Sequence, residues 1–442
     1  MLLEHLKVFP VLFLALVFAV SCVPQETGFQ KSAAVSNSDH ASFSDDTLTD
    51  QEEAVSTEDL AEDITEAEPE ENTIPEAEAT LGQEVTELEK LGGWEEGVLG
   101  QAIQEAETDY DFPVTINRQV QFYLDFFQNQ ARGTFSKWLA RSGRYLPLIQ
   151  QQLSEAGLPR DLAYLPMIES GFSLTAYSTA QAAGPWQFMS STASQFDLEI
   201  NDYVDERRDP IKSTAAAVEY LSYLYKEFGS WHLAVAAYNA GGGAMQRAVS
   251  RTNTTNFWEI AKTDNLFQET KLFVPKLIAA IILAKNPKKY GFTDIQYEAP
   301  LAFDVLEVPR LTSLKAVALA GTLDFEELRN LNRHLRLAIT PPDAKSYPLK
   351  VPLGKKELVA KNLPRIHTVT STKYNTHIVK RGESLKQICQ TYNLSATTLL
   401  KANDLKKAAI STGQRLRIPV QTVTYQLLAE NQAGPGQVLF LQ

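Results

Sequence analysis

The sequence predicts a mainly α-helical domain followed by small α+β modules, with a disordered tether at the N-terminal side. Three observations support this prediction: an acidic segment with few aromatic residues, a long stretch of helical periodicity, and an internal repeat near the C-terminal end. The chain has 442 residues, which is too many for a single hydrophobic core. We therefore expect about three domains, since domains commonly hold 100–200 residues.

Residues 1–22 have the pattern of a secretory signal peptide. An apolar run over residues 8–20 is too short to span a bilayer but fits the apolar region of such a signal. The run ends before Cys22 in a pattern that resembles a bacterial lipobox, whose cysteine is lipidated after cleavage. We expect Cys22 to anchor the chain, the alternative being an ordinary cleaved signal with a chance cysteine. Val23, rather than an aspartate, follows Cys22, which by analogy with enteric sorting favours a periplasmic protein anchored to the outer membrane.

The net charge of −13 comes from one segment of the chain. Residues 41–90 contain 18 acidic residues and one basic residue, so the rest of the chain is slightly basic. Because an acidic tract repels itself and buries little apolar surface, we predict that residues 23–92 form a disordered linker. This charge pattern gives no indication of nucleic-acid binding, and we expect none. A mildly basic folded part is compatible with an anionic polymer as partner.

Periodic apolar residues begin near residue 116 and predict helices. Apolar residues between 120 and 127 share one helix face, which indicates a helical N-terminal extension over residues 96–154. The following residues, 155–295, are predicted to form a separate helical domain with glycine-marked loops. Within it, Pro210 near a first helical turn predicts a long helix over residues 210–228.

After residue 297 the pattern changes to short strands that alternate with short helices, and it occurs twice. Residues 300–354 form a first, degenerate copy and residues 374–420 a clear second copy. Each copy contains a leucine and an asparagine at the same spacing and closes on a strand that ends in proline. These pairs are Leu314 with Asn332 and Leu385 with Asn403. Each copy predicts a βααβ unit, and residues 421–442 are predicted to be a tail.

Glu169 is the candidate catalytic residue. Residues 161–168 predict a helix with a buried face that ends near Glu169 and stops at Gly171. The helix end and apolar neighbours disfavour a charged carboxylate, so they raise its pKa as a general acid requires. The position alone would more often hold an ordinary exposed glutamate.

Two stretches that are nearly free of charged residues change this assessment. Residues 170–196 contain no Asp, Glu, Lys, Arg or His. Among residues 231–246 the one residue of these five types is His232. Both stretches combine aromatic rings with neutral hydroxyls and amides, which suits a sugar better than a charged ligand. The alternative is a helical core that contains some polar residues. One isolated carboxyl in such a lining is what protonation of a glycosidic oxygen needs.

Several motifs occur in one order along the chain: Glu169-Ser-Gly-Phe, Ala183-Gly-Pro-Trp-Gln-Phe-Met, Ala236-Ala-Tyr-Asn-Ala-Gly and Glu269-Thr. With them, residues 155–285 strongly resemble the lysozyme-like lytic transglycosylases. The resemblance implies a lysozyme-like catalytic domain over residues 155–295. The two repeats resemble LysM modules, which bind glycans that contain N-acetylglucosamine.

The resemblance also implies residue roles. Glu169 would protonate the bond between N-acetylmuramic acid and N-acetylglucosamine, and then deprotonate the muramic C6 hydroxyl that closes a 1,6-anhydro ring. Because the substrate supplies the nucleophile, one carboxyl suffices where ordinary glycosidases use two. Phe273 stands where the family usually has tyrosine. Further implied substrate-binding residues are Ser178, Gln187, Met189, Tyr238, Asn239 and Glu269.

The remaining expectations concern cofactors, partners and alternative functions. The cysteine and histidine spacing gives no metal site, so we expect neither metal nor cofactor. We expect a monomer that acts on peptidoglycan glycan strands. Two alternatives are a muramidase that uses Asp202 or Asp205 as a second carboxylate, and a non-catalytic glycan-binding wall protein.

Overall fold

The computed structural model describes residues 110–343 and 345–429. The predicted signal over residues 1–22, the expected lipidation site Cys22 and the predicted linker over residues 23–92 lie outside the described residues. The same holds for residues 430–442 of the predicted tail. Among the helices that are described, none is long and apolar enough to cross a membrane.

The first part of the described chain is helical, as the periodicity predicts. Its helices are α1 (Arg118–Gln128), α2 (Arg132–Glu155), α3 (Leu165–Ser170), α4 (Ser190–Gln195), α5 (Pro210–Phe228), α6 (Trp231–Ala240), α7 (Gly242–Thr252), α8 (Phe257–Ala261) and α9 (Gln268–Lys285). Short 3-10 turns precede α3 at Arg160–Tyr164 and α5 at Glu206–Arg208. The predicted helix over residues 210–228 is confirmed. The Asp209 side chain caps it by accepting from the amides of Ile211 and Lys212.

One hydrophobic core holds the helical part together. Helix α9 lies at its centre, because every residue from Thr270 to Leu283 is buried. Helices α1 and α2 contribute Tyr123, Phe127 and Phe135 to the same core. The predicted extension over residues 96–154 and the predicted domain over residues 155–295 therefore share a core in the described residues.

The two βααβ modules follow, which confirms the predicted architecture. In the first module, β1 (Phe303–Pro309) pairs antiparallel with β2 (Ser346–Pro352), and α10 (Leu314–Gly321) and α11 (Phe325–Leu331) lie between them in the chain. Helix α12 (Lys356–Asn362) adds Val359 to the core of this module. This core thus extends past the predicted boundary at residue 354.

The second module consists of β3 (Ile366–Ile378), α13 (Leu385–Thr391), α14 (Ala396–Ala402) and β4 (Arg415–Leu427). Strands β3 and β4 pair antiparallel from Ile366 with Leu427 to Ile378 with Arg415. Residues 421–427, predicted as part of a tail, therefore belong to β4, and that prediction is wrong for them. Pro419 suggested the end of a strand, but a two-stranded ribbon has open edges where proline is tolerated.

An asparagine explains the repeated spacing. In the first module the Asn332 side chain donates to the Lys350 carbonyl at 2.7 Å and accepts from the Lys350 amide at 3.1 Å. In the second, Asn403 makes the same pair of bonds to Arg417, at 2.7 and 2.6 Å. The asparagine ties the second helix to the last strand, and Lys350 and Arg417 occupy equivalent positions.

Candidate active site

Glu169 lies in the last turn of α3, as the sequence predicts. Gly171 ends this helix with φ +57°. A Cβ atom at Gly171 would lie 2.3 Å from the Trp138 indole, so both the left-handed backbone and the packing require glycine. Leu165 and Met167 are fully buried and anchor the helix in the core. The backbone that carries Glu169 is therefore held firmly.

Ser170 joins this helix to the following loop. Its hydroxyl donates to the Pro185 carbonyl at 2.9 Å and accepts from the Ser173 amide at 3.2 Å. The serine that follows the candidate acid thus connects α3 to the Ala183-Gly-Pro-Trp-Gln segment.

Burial raises the pKa of Glu169 to about 8, the negative charge of Glu269 adds to the rise, and the positive charge of Lys276 opposes it. The side chain of Glu169 is nevertheless partly exposed, so a ligand can contact it. A half-buried carboxyl that keeps its proton at neutral pH is suited to general acid chemistry.

Glu269 and Lys276 lie seven positions apart on α9, so they share one helix face. Phe273 lies between them on that face and is buried. The aromatic ring that replaces the usual tyrosine therefore belongs to the face that acts on Glu169. Lys276 was missed in the sequence, where only its i+7 spacing from Glu269 could have indicated it.

The loop after α3 carries three further candidate residues. The Ser178 hydroxyl accepts from the Ala182 amide at 3.0 Å. The Gln187 side-chain amide donates to the Gly184 carbonyl at 2.8 Å, and Gln187 has a positive φ of +48°. Met189 is 43% exposed at the end of the loop. Short β-bridges join Tyr177, Ala183 and Phe188 and fold this loop back on itself.

Gly184 lies where the loop approaches the segment before α5. It has φ +79°, and a Cβ atom there would lie 1.9 Å from the Arg207 carbonyl oxygen. Only glycine allows this contact. The loop therefore rests directly on the Glu206–Arg208 turn.

Tyr238 and Asn239 lie at the end of α6. The Tyr238 hydroxyl donates to the Trp186 carbonyl at 2.7 Å. Burial raises the pKa of Tyr238, and the charge of nearby Glu169 raises it further, so the phenol stays protonated. The Asn239 side chain accepts from the Thr270 hydroxyl at 2.8 Å. This bond joins α6 to the first turn of α9, beside the exposed Glu269.

The uncharged stretch over residues 170–196 lines a site only in part. Trp186 is fully buried, and its indole donates to the Thr214 hydroxyl at 3.0 Å. Phe172 and Phe188 are also core residues. Aromatic residues in an uncharged stretch can serve either a core or a sugar site, and the sequence alone did not separate the two.

The muramidase alternative would use Asp202 or Asp205, and neither is the carboxylate whose charge raises the pKa of Glu169. Asp205 is buried and receives two bonds of 2.8 Å from Arg207, while Asp202 is exposed. The acidic side chain whose charge acts on Glu169 is Glu269. Among the described residues, no group of three His, Cys, Asp or Glu could hold a metal ion.

Family comparisons agree with this geometry. Residues 147–261 match the transglycosylase SLT domain, a range that includes Glu169, the loop and α6. The chain carries an SLT domain and is homologous to lytic murein transglycosylases. Behind the SLT domain, residues 302–368 match the LysM-like domain of the lytic transglycosylase MltD, and residues 377–419 match the LysM domain.

Individual relatives extend the comparison. The chain is 30% identical over 305 residues to membrane-bound lytic murein transglycosylase D of Escherichia coli (strain K12), and the match covers 66% of each chain. A putative tributyltin chloride resistance protein of Alteromonas sp. (strain M-1) is 42% identical over 112 residues, which cover 25% of this chain and 54% of that protein. The 70 kDa soluble lytic transglycosylase SLT70 from Escherichia coli shares 19% identity at a TM-score of 0.32, over 51% of this chain and 47% of that one.

Proposed function

We propose that this protein is a peptidoglycan lytic transglycosylase. It cleaves the β-1,4 bond between N-acetylmuramic acid and N-acetylglucosamine and leaves a 1,6-anhydro-muramic end. The observation that carries the proposal is Glu169 in an SLT domain, with a pKa raised to about 8 by burial and by Glu269. Homology to lytic transglycosylase D supports the same activity.

Glu169 acts first as an acid and then as a base. Because its pKa is about 8, the carboxyl carries a proton at neutral pH and donates it to the glycosidic oxygen as the C1–O bond breaks. The resulting carboxylate then accepts the proton of the muramic C6 hydroxyl, whose oxygen bonds to C1. No water is consumed, so the product is one water lighter than a hydrolysis product.

The charges around Glu169 suit both steps. Glu269 disfavours the charged carboxylate and so keeps the acid protonated before cleavage, while the buried Lys276 favours the carboxylate that forms on proton transfer. We assign sugar positioning to Tyr238, Asn239 and Glu269.

The loop residues Ser178, Gln187 and Met189 are proposed to contact the muramic residue. All three are at least partly accessible to solvent, whereas Trp186 and Phe188 beside them are buried. The contrast supports a loop that presents neutral side chains outward while its aromatic residues fix it to the core.

The other parts of the chain hold the enzyme on its substrate. We propose that the LysM module over residues 374–420 binds glycan strands. We also propose that residues 1–22 are a signal, that lipidated Cys22 anchors a monomer to the outer membrane on the periplasmic side, and that residues 23–92 form the linker. Homology to a membrane-bound relative supports membrane association.

One digest tests the proposed activity. Protein lacking residues 1–22 is incubated with purified peptidoglycan, and the products are weighed by mass spectrometry. Anhydro-ended muropeptides are expected. Reducing-end products would instead indicate a muramidase, and binding without cleavage a non-catalytic wall protein. Glu169→Gln should abolish cleavage, with Glu219→Gln, at an exposed position on α5, as a matched control.

A further inference from the structure

A buried group of charges joins the helical domain to the first LysM-like module. Asp209, which caps α5, pairs with Lys350 of β2, and its carboxylate lies 3.4 Å from His334 Nδ1. All three residues are at most 9% exposed. Burial lowers the pKa of His334 to about 4, so at neutral pH a neutral imidazole lies beside the Asp209–Lys350 pair.

The backbone crosses the same boundary. The Asp205 amide donates to the His334 carbonyl at 2.8 Å, and the Arg336 amide donates to the Tyr203 carbonyl at 2.9 Å. Val204 is 1% exposed and belongs to the core of the first module. The segment over residues 203–209 is thus built into both parts.

The same segment holds the candidate active-site loop. The Arg207 guanidinium binds Asp205 through two bonds and donates to the carbonyls of Gln181 and Phe188 at 2.9 and 3.0 Å. These carbonyls lie on either side of Gly184, which contacts the Arg207 backbone. Because a buried guanidinium must keep its partners, loop and segment are held in one arrangement.

The second module provides an internal comparison. Arg417 occupies the position of Lys350 in the repeat, since both strands bind the repeated asparagine in the same way. Arg417 is exposed, and its guanidinium lies 4.0 Å over the Tyr374 ring of its own module. The same position of the repeat therefore joins the first module to the helical domain, whereas in the second module it faces solvent.

We propose that the first LysM-like module is a brace for the active-site loop, and that Lys350 and Arg207 are its positioning residues. The module fixes the segment over residues 203–209. Arg207, within this segment, binds the loop that carries Gln187. The activity readout rests on the proposed transglycosylase function. The loop readout below does not.

The test compares Lys350→Met with Arg417→Met in the otherwise complete chain. Activity is measured on short soluble glycan strands and expressed per folded molecule. We expect Lys350→Met to lower kcat at least tenfold with less than a twofold change in KM. Arg417→Met lies in the proposed glycan-binding module, so it serves as the control for hydrogen exchange of the loop, which it should leave unchanged. Lys350→Arg should restore most of the kcat, because it keeps the positive charge.

Hydrogen exchange provides the readout that is independent of activity. The amides of Ala183, Gln187 and Phe188 form hydrogen bonds inside the loop and should exchange at least tenfold faster in Lys350→Met than in the wild type. Lys350→Met alone leaves the Asp209 carboxylate buried without its lysine, which could unfold the protein. The double variant Asp209→Asn/Lys350→Met removes both charges and so controls for this effect. If the folded double variant keeps wild-type kcat and loop protection, the brace is refuted. If the wild type cuts no glycan but loop exchange responds as expected, only the proposed function fails.

Discussion

Glu169→Gln should stabilise the protein while it removes the candidate acid, and the stabilisation should depend on pH. The pKa of Glu169 is raised from 4.5 to about 8, first by burial and then by the charge of Glu269. The unfolded chain therefore loses this proton near pH 4.5, while the folded chain keeps it until about pH 8. Folding stability that is present below pH 4.5 is lost as the pH rises through this window, and a neutral glutamine does not suffer this loss.

The magnitude follows from the pKa difference. One pKa unit corresponds to about 1.4 kcal/mol. The unfolded carboxyl ionises above pH 4.5 while the folded one stays protonated, so the interval of about 2.5 pH units up to pH 7 sets an upper bound of roughly 3 kcal/mol on the folding stability lost. Because Glu169 keeps an exposed face, we expect about 2 kcal/mol at pH 7 and under about 1 kcal/mol at pH 5.

Urea denaturation at pH 5, 6, 7 and 8 measures this effect, with the unfolding of the SLT domain followed by tryptophan fluorescence. The difference in unfolding free energy between Glu169→Gln and the wild type should grow with pH. Glu219→Gln should give a small difference that is the same at every pH. A pH-independent difference for Glu169→Gln would show that the raised pKa, and with it the protonated acid at neutral pH, is wrong.

Three other variants test the surroundings of the site. Phe273→Tyr adds a hydroxyl on the α9 face that acts on Glu169; by donating to the carboxylate it should lower that pKa and shift the alkaline limb of the kcat/KM profile to lower pH. Gly184→Ala should destabilise by about 2 kcal/mol more than Gly157→Ala in thermal unfolding, since both have positive φ but a Cβ atom at Gly157 meets nothing within 4 Å. Phe267→Ala removes an 82% exposed ring near Glu269 and should raise KM several-fold at unchanged Tm.

Local signals made much of this architecture predictable. The position of Glu169 followed from a helix with a glycine stop, and the βααβ modules followed from a leucine and an asparagine at a repeated spacing. Both features depend on residues close together in the chain. The asparagine bonds to the last strand give that spacing its physical reason.

Other features depend on contacts between distant residues and could not be read from periodicity. Lys350 meets Asp209 across 141 positions, and nothing near either residue indicates the other. The middle of β3 is exposed on both faces, so it lacks the alternation of apolar and polar residues that marks a half-buried strand. Trp186, in the loop, is buried in the core and donates its indole hydrogen bond to Thr214 on α5, 28 positions away.

The ribbon of β3 and β4 determines how force passes between the second module, which binds glycan, and the domain that cleaves it. The chain enters the second module through β3 and returns through β4, where Tyr425 packs against the core of the first module. Each strand has 13 residues, so the ribbon spans roughly 40 Å at about 3.3 Å per residue. Tension between the bound glycan and the rest of the enzyme would run along the covalent strand β3 and, as shear, through its hydrogen bonds to β4, without unzipping those bonds. The glycan-binding module would then stay at a fixed distance from the site of cleavage.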